Sequence, residues 1–336
     1  MKVDQYNIVL TDFAPKKEWS FLDVLRDQTG KEWIAKNKQT NHLHGNKWSN
    51  LIRIIWYFLF PLYILFSHKK YAKIIAWQQF YGLNVAFFSR LLHLKKVNEL
   101  YVLTFIYKRK EGLVGSLYHR YMDYIVNSKY VDKFICFSKE EVAYYNAIFN
   151  VTKKEKFVFI PLGLKFTWRG EIRDDEYIFT TGRSNRDYCF LINVLKETSY
   201  KTIIVCDTLS ANGVMNNVRI YDQCYGDEML KRMASSHVVV IPLKSVDISS
   251  GQLVALQAMA LGKPIICTKS NGLADYVIHE KTGLIVNNTK EEWMVALERI
   301  YTDKKFYKEL SRNARAIFLQ KFTEEEMYKN IALIVK

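Results

Sequence analysis

The most informative pattern in this chain is SSGQLVALQAMALGKPIICTKSNGLADYVIHEKTGLIV, residues 249–286. It opens with a turn of small residues, continues as an apolar helix predicted over 251–261, and then gives two short apolar strands, 264–267 and 283–286. Strands that alternate with helices are typical of a parallel sheet with helices packed on its faces. This segment therefore predicts the α/β class.

The same alternation extends in both directions from this segment. Residues 161–176 are polar, contain Pro and two Gly and interrupt the periodicity, so we place a domain boundary there. We predict two Rossmann-like domains that face a cleft, 1–162 and 163–320, and a C-terminal helix, 321–336, that packs back on the first domain. Residues 20–50 give only a weak signal. Apolar strands are predicted at 7–11, 72–77, 100–106, 133–137 and 156–160 in the first domain, and at 177–181, 201–206, 218–221 and 238–241 in the second.

Length and composition exclude several classes of protein. The chain has 336 residues, of which 49% are apolar and 25% are charged. These proportions exclude a small binding module and a disordered protein, and they allow two domains with substantial cores. The five cysteines are scattered, with no C-x-x-C pair, which favours reduced thiols and the cytoplasm. The first 20 residues lack the pattern of a secretory signal, so secretion is not expected.

Positive charge is concentrated in the first half of the chain. Residues 1–165 contain 26 Lys or Arg against 13 Asp or Glu, whereas the remainder has 23 against 21. No acidic residue lies between Glu32 and Glu99, where aromatic residues are interleaved with the basic ones. This composition suits an anionic membrane surface better than nucleic acid, because apolar residues accompany the charge.

One apolar segment, LIRIIWYFLFPLYILF at residues 51–66, adds to this picture. It has 16 residues and contains Arg53 and Pro61, and a membrane-spanning helix needs about 20 apolar residues. We therefore expect the segment to lie in the interface of an anionic membrane. The alternative is a buried core helix with a solvated basic rim. The charges expected to face the bilayer include Lys69, Lys70 and Lys73.

The turn before the helix at 251–261 is a candidate anion site. Small residues at a helix N-terminus leave backbone N–H groups free beside the positive end of the helix dipole, which suits a diphosphate. Gly182 and Arg183 end a neighbouring strand of the same predicted sheet, and Arg186 follows, so charge-assisted bonds to phosphate are available. The alternatives are ordinary helix caps and exposed charges at a helix start.

At this point the residues resemble a family. Residues 258–266, AMALGKPII, are similar to the A-M-A-x-G-x-P-V-I signature of family-four-type glycosyltransferases, which have the two-domain GT-B fold. NGLAD at 271–275 and TGLIV at 282–286 follow in register. The resemblance extends to Gly182-Arg183 and to residues 240–242. It therefore covers the second domain, and it reaches the first only through strand order and residues 137–140.

The resemblance implies a nucleotide diphosphate sugar as donor, with no other cofactor and no metal. It also implies that the diphosphate leaving group is stabilised electrostatically. Two glutamates of the signature fall on Ser249 and Gln257, and the family's histidine falls near Ile106 or Tyr107 and is missing, so retention of configuration is not implied. Gln257 can still bond a ribose hydroxyl. The predicted donor residues are Gly182, Arg183, Arg186, Lys244, Ser249, Ser250, Gly251, Gln252, Leu253 and Gln257.

Polar and aromatic residues at strand ends of the first domain are the candidates for the acceptor side. Aromatic rings stack on sugar rings, and amide groups bond sugar hydroxyls. Asp12, at the end of the first strand, is a candidate general base, and a turn or cap role is the alternative. The predicted acceptor residues are Trp77, Gln78, Gln79 and Tyr81.

These observations lead to one main hypothesis. The chain is expected to be a cytoplasmic glycosyltransferase, peripheral on the inner face of the cell membrane, that extends a lipid-linked saccharide in capsule or exopolysaccharide assembly. Arg183 would take part in catalysis as well as in donor binding. The alternative is a catalytically inactive glycosyltransferase-like scaffold or chaperone subunit, because both glutamates and the histidine are replaced.

Overall fold

The computed structural model describes residues 6–43, 46–152, 155–209, 216–246 and 249–336. The chain divides into two compact units. Unit 1 comprises Met1–Ile160 together with Tyr328–Lys336, and unit 2 comprises Pro161–Met327. The last helix of the chain therefore contributes its second half to the first unit.

Unit 1 is built on a six-stranded parallel sheet in the order β2-β1-β3-β4-β5-β6. The four inner strands are largely apolar and largely buried on both faces, as parallel strands usually are, whereas the two edge strands are less buried. The strands are β1 (Tyr6–Thr11), β2 (Trp33–Asn37), β3 (Tyr71–Ala76), β4 (Glu99–Val102), β5 (Lys133–Cys136) and β6 (Phe157–Phe159). The helices are α1 (Ser20–Thr29), α2 (Lys47–Phe66), α3 (Gln79–Leu91), α4 (Gly112–Val126) and α5 (Lys139–Ile148).

The strand order fixes the side on which each helix lies. The connection through α1 runs towards one edge of the sheet, and those through α2, α3, α4 and α5 run towards the other edge. Parallel crossovers are right-handed, so α2 to α5 cover one face and α1 covers the opposite face. The end of the last helix joins α1, where the rings of Phe21 and Tyr328 lie 4.8 Å apart.

Two elements of unit 1, α1 and β2, were not predicted. The N-cap position of α1 is Trp19, which makes no side-chain cap bond, so the usual start signal is missing. In β2 only Trp33 is buried, because β2 is an edge strand. Helix α1 therefore lacks a start signal although Phe21 and Leu25 are buried one turn apart, and β2 lacks an alternation of buried apolar residues.

Helix α2 is longer than the sequence predicts. It begins at Lys47, after Asn46, whose side chain accepts a hydrogen bond from the Ser49 amide at 2.7 Å. Its 20 residues extend for about 30 Å, so the expectation of a segment too short to span a membrane was wrong on length. Within the described residues it is the one helix that is long and apolar enough to span a membrane. Over an 18-residue stretch of it the mean hydropathy is 1.5, and 22% of that stretch is buried.

Unit 2 repeats the plan with a six-stranded parallel sheet in the order β12-β11-β10-β7-β8-β9. Its strands are β7 (Ile178–Thr181), β8 (Thr202–Val205), β9 (Val218–Tyr221), β10 (Val238–Ile241), β11 (Ile265–Thr268) and β12 (Leu284–Val286). Its helices are α6 (Tyr188–Leu195), α7 (Gly226–Ala234), α8 (Gln252–Ala260), α9 (Asn271–Ala274), α10 (Lys290–Thr302), α11 (Lys304–Lys321) and α12 (Glu324–Val335), the last shared with unit 1. The prediction of two Rossmann-like α/β domains is confirmed.

Candidate functional site

The turn after β7 is held by a buried arginine. Gly182 has φ +113°, and a Cβ there would lie 2.9 Å from Nη2 of Arg186. Nε of Arg186 donates to the Thr181 carbonyl at 3.1 Å, and Nη1 donates to the Ser184 carbonyl at 3.0 Å. Arg186 is buried, and burial lowers the pKa of its guanidinium. Two of its five N–H groups thus hold backbone carbonyls of the turn, and its role towards phosphate stays a prediction.

Arg183 has the opposite environment. Its side chain is 67% exposed, and Nη1 lies 3.4 Å from Oδ2 of Asp207, which follows the neighbouring strand β8. The hydroxyl of Tyr225, beyond β9, donates to the same Asp207 oxygen at 3.4 Å. An exposed ion pair of this length contributes little to stability. The guanidinium therefore lies at the carboxyl edge of the sheet and can exchange its carboxylate partner for a phosphate.

The start of α8 lies at the same edge, beside β7. Gly251 precedes the helix with φ +92°, and a Cβ there would lie 3.0 Å from Cγ2 of Ile241. The Gln252 side-chain amide donates to Oγ of Ser249. Gly272 in α9 has no side chain, so it lies close to Ser249: a Cβ there would be 2.8 Å from Oγ. The backbone is thus tightly packed at the start of α8, and the first N–H groups of a helix have no acceptor within it.

The residue that joins the two turns, Asn185, was missed from the sequence. Its Nδ2 donates to the Ser245 carbonyl at 2.8 Å and to Oγ of Ser250 at 3.0 Å, and its Oδ1 accepts from the Ser245 amide at 2.9 Å. Its carbonyl also accepts from the Lys244 amide at 3.2 Å. Asn185 has φ +58°, a conformation that Asn adopts more readily than most residues. That preference, in the run Gly-Arg-Ser-Asn, is the signal that could have found it.

The remaining predicted donor residues lie on the same loops. Lys244 is exposed on the segment after β10, and Leu253 is 51% exposed in the first turn of α8. Gln257 is half-buried further along that helix. The structure therefore brings together Gly182, Arg183, Lys244 and residues 249–253 at one edge of unit 2.

The carboxyl edge of the unit 1 sheet gathers the acceptor candidates. Nε2 of Gln78 donates to Oδ2 of Asp12 at 3.0 Å, across the neighbouring strands β3 and β1. Oε1 of Gln79 accepts from the Ile106 amide at 3.0 Å. Trp77 is half-buried, with its ring 5.1 Å from that of Trp19. Asp12 and Gln78 therefore form a polar pair at this edge, and Gln79 binds the backbone of the loop that follows β4.

Tyr81 does not belong to that pair. Its side chain is fully buried, and its hydroxyl donates to the Lys38 carbonyl at 2.8 Å and lies 3.2 Å from Oγ1 of Thr40. Burial raises the pKa of this phenol to about 12. The predicted acceptor role is corrected, because a phenol sealed in the core cannot reach a saccharide.

Among the residues that the structure describes, no group of three or more His, Cys, Asp or Glu could hold a metal ion. The five cysteines are free thiols.

Part of unit 2 matches a known family. Residues 206–317 match the model of the family described as glycosyl transferases group 1. A curated relative, the D-inositol 3-phosphate glycosyltransferase of Arthrobacter sp. (strain FB24), is 33% identical over 115 residues, which are 34% of this chain and 26% of the relative. An uncharacterized glycosyltransferase of Methanocaldococcus jannaschii is 32% identical over 127 residues, 37% of this chain and 31% of that protein. The chain thus matches about a quarter to a third of the length of these curated relatives.

Solved structures resemble the whole chain. Anabaena Alr3699/HepE, crystallised in complex with UDP, superposes with a TM-score of 0.67 at 15% identity, over 98% of this chain and 99% of that one. The sucrose-phosphate synthase of Thermosynechococcus elongatus superposes with a TM-score of 0.66 at 15% identity, over 98% of both chains. These likenesses show the fold, which is the GT-B fold of glycosyltransferases. The resemblance that the sequence indicated is confirmed.

Proposed function

We propose that this chain, which has the GT-B fold and a group 1 glycosyltransferase segment in its second unit, transfers a sugar from a nucleotide diphosphate sugar. The observation that carries the proposal is the pair of turns that Asn185 joins. They place an exposed guanidinium, Arg183, and the N-terminus of α8 at one sheet edge. Ligands of open α/β sheets bind at this edge.

The chemistry follows from these charges. Cleavage of the sugar–phosphate bond leaves negative charge on the nucleoside diphosphate. Arg183 and Lys244 donate charge-assisted bonds to its phosphate oxygens, and the amides of residues 251–253 add the positive end of the α8 dipole. Preorganised donors of this kind are often the largest contribution to lowering a barrier of this type. Gln257 bonds a ribose hydroxyl, as a neutral substitute for the carboxylate of the family signature.

The acceptor is assigned to unit 1. Gln78 holds the carboxylate of Asp12 by the 3.0 Å bond, and that carboxylate is the candidate base for an acceptor hydroxyl. Gln79 and the ring of Trp77 supply bonding and stacking groups beside it. We take the acceptor to be a lipid-linked saccharide in cell-surface polysaccharide synthesis, since unit 1 also carries the basic and apolar surface described next.

Helix α2 is the proposed contact with the membrane. One side of it is buried on unit 1 through Phe60, Pro61, Ile64 and Leu65. A helix anchored in this way lies along its domain, so we place it in the interface on the cytoplasmic side and not across the bilayer. Lys69 and Lys70 are exposed directly after it. Its outer side exposes Trp48, Leu51, Ile52, Ile54, Ile55, Phe58, Leu59, Tyr63 and Phe66.

UDP and UDP-glucose are the first probes for the donor site, because Alr3699/HepE has been crystallised with both. We expect UDP to raise the melting temperature of the purified chain, because a ligand present at 100 times its Kd adds about 2.7 kcal/mol of stability. We also expect release of UDP from UDP-glucose, measured by a coupled nucleotide assay. The donor assignment is wrong if the melting temperature does not change with any uridine, guanosine or adenosine diphosphate or with the corresponding nucleotide sugars.

The same assay tests a second candidate function. Ser249 and Gln257 occupy the positions where the family signature has two glutamates. The Ser249 hydroxyl accepts a hydrogen bond from the Gln252 side-chain amide. These replacements favour a catalytically inactive scaffold as the alternative. Nucleotide binding without turnover on any donor, at any acceptor supplied, would support the scaffold over the enzyme.

A further inference from the structure

We propose that residues 106–117, the loop before α4 and its first two turns, form a second contact with an anionic membrane, next to the acceptor edge. We call this region the α4 corner. The inference rests on the proposed function for the identity of the acceptor. It concerns a different element from α2, and it explains how a saccharide carried on a lipid would reach the pair of Asp12 and Gln78.

The α4 corner exposes large apolar side chains to an unusual degree. Leu113 is 86% exposed, Val114 is 75% exposed and Leu117 is 66% exposed. Ile106, in the preceding loop, is 55% exposed. Single exposed apolar residues are ordinary, but four that project from twelve consecutive positions mark a surface that is covered when the protein works.

Basic residues stand directly beside this apolar surface. Lys108, Arg109 and Lys110 are consecutive and exposed, and Glu111 is the one acidic residue of the α4 corner. Apolar side chains that insert below a ring of basic charge are the combination that an anionic bilayer selects. Nucleic acid would not cover the leucines, since it binds basic side chains and stacking rings.

A glycine in α4 allows the basic segment to pack closely against the helix. Gly115 lies in α4, and a Cβ there would be only 2.1 Å from the carbonyl oxygen of Lys110. The backbone of the basic segment therefore rests on the helix at this position. The Lys110 ammonium lies 5.2 Å from the centre of the Tyr118 ring, one turn further on. This close approach therefore fixes Lys110, the last of the three basic residues, beside the first turns of α4.

The position in unit 1 connects the α4 corner with the site. The Ile106 amide donates to Oε1 of Gln79 at 3.0 Å, so the exposed loop contacts an acceptor candidate that directly follows Gln78 in the chain. Helices α4 and α2 cover the same face of the sheet, with α3 between them, and α4 starts at the carboxyl edge. A bilayer that contacts the α4 corner would present a lipid headgroup at Gln79.

The test is binding of the full chain to phosphatidylglycerol vesicles and to phosphatidylcholine vesicles, by co-sedimentation at low salt. The variant Val114→Ser/Leu117→Ser should bind the anionic vesicles at least tenfold more weakly than the natural chain. The matched control is Val295→Ser/Leu319→Ser, whose residues are 65% and 60% exposed on helices of unit 2. The control should bind as the natural chain does.

A third variant tests the glycine. Gly115→Ala adds one methyl group and favours the helix, yet it should weaken vesicle binding several-fold by displacing the Lys110 backbone. Circular dichroism and the UDP melting shift confirm that each variant is folded and that the donor site is intact. If this variant binds anionic vesicles as tightly as the natural chain, the role given to the glycine is overturned.

Other results would overturn the proposal as a whole. Equal binding of the serine variant and its control would do so, and so would equal binding to neutral and anionic vesicles. If the serine variant has a lower molar mass than the natural chain in light scattering but binds vesicles equally well, the α4 corner is an interface between copies of the protein. None of these results bears on the donor site, which the nucleotide shift tests separately. Conversely, the chain could bind vesicles through the α4 corner and yet fail to bind any nucleotide tested. That result would support this inference and contradict the proposed enzymatic function.

Discussion

Arg183 is the side chain on which the donor proposal depends most directly. Replacing it with alanine removes an exposed charge that makes one long ion pair, so the fold should be unaffected. We expect UDP affinity to fall by about 1.5–3 kcal/mol, the contribution of a hydrogen bond to a charged group. Gln257→Ala should cost less, about 0.5–1.5 kcal/mol, because its bond to ribose is neutral.

Isothermal titration with UDP measures both losses. Arg312→Ala is the control, since Arg312 is equally basic, exposed on α11 and distant in sequence from the site loops. Undiminished affinity in the Arg183 variant would remove this residue from the site.

At this scale the sequence identified types of residue better than their partners. Gly182, Arg183 and the turn at 249–251 reach one sheet edge because parallel strands place their carboxyl ends together. Tyr81 has the right chemistry, but its buried hydroxyl donates to a backbone carbonyl, and two of the N–H groups of the buried Arg186 do the same. Periodicity cannot show which way such a side chain turns. Asn185 was missed because its importance lies in loop-to-loop bonds that no local pattern encodes.

At the scale of elements, most strands and helices could be predicted because buried parallel strands are short apolar runs and the helices between them are amphipathic. The prediction failed at α1, which is amphipathic but has no capping residue, and at the edge strand β2, which is not an apolar run. The length of α2 was underestimated because three of the four residues in its first turn, Lys47 to Asn50, are polar, although Asn46 caps it.

The two exposed lysines that follow α2 are predicted to contribute to the binding of anionic vesicles. Lys69→Gln/Lys70→Gln should weaken binding to anionic vesicles by about 2 kcal/mol at low salt, at about 1 kcal/mol for each charge. The loss should shrink as salt rises, because the Debye length is about 8 Å at physiological ionic strength. Lys73, which the sequence grouped with them, is buried and pairs with Glu99 at 2.8 Å, so it is left unchanged.

Lys304→Gln/Lys305→Gln is the matched control for this pair. Both lysines are adjacent and exposed at the start of α11, in unit 2. Co-sedimentation across a salt series separates the outcomes. Equal losses in the two double variants would mean that vesicles sense only net charge, and α2 would then have no special place at the bilayer.

The nine residues 328–336 belong to unit 1 and are predicted to contribute to its stability. Tyr328, Ile331 and Val335 are almost completely buried, and the Tyr328 ring packs on Phe21 and Trp77. Deleting 328–336 should lower the free energy of unfolding of unit 1 by at least about 4 kcal/mol, since each large apolar side chain contributes about 1.5–3 kcal/mol when buried. Urea unfolding monitored by tryptophan fluorescence measures the loss.

A point variant in the same helix is the control for the deletion. Leu333 is 62% exposed, so Leu333→Ser should change stability by no more than about 0.5 kcal/mol. UDP binding should persist in the deletion variant if unit 2 folds by itself. A deletion variant with the unfolding midpoint of the full chain would show that unit 1 does not need this segment.

The division of unit 1 between two distant parts of the chain has a consequence for biosynthesis. The whole of unit 2, residues 161–327, is translated after the sheet of unit 1 and before the segment that covers Phe21 and Trp77. On the ribosome, the first unit therefore waits with an apolar surface uncovered while the second unit emerges and folds. Domains generally fold in the order of their synthesis. In this chain the unit made first is the one completed last, so during translation it is the natural client for a chaperone.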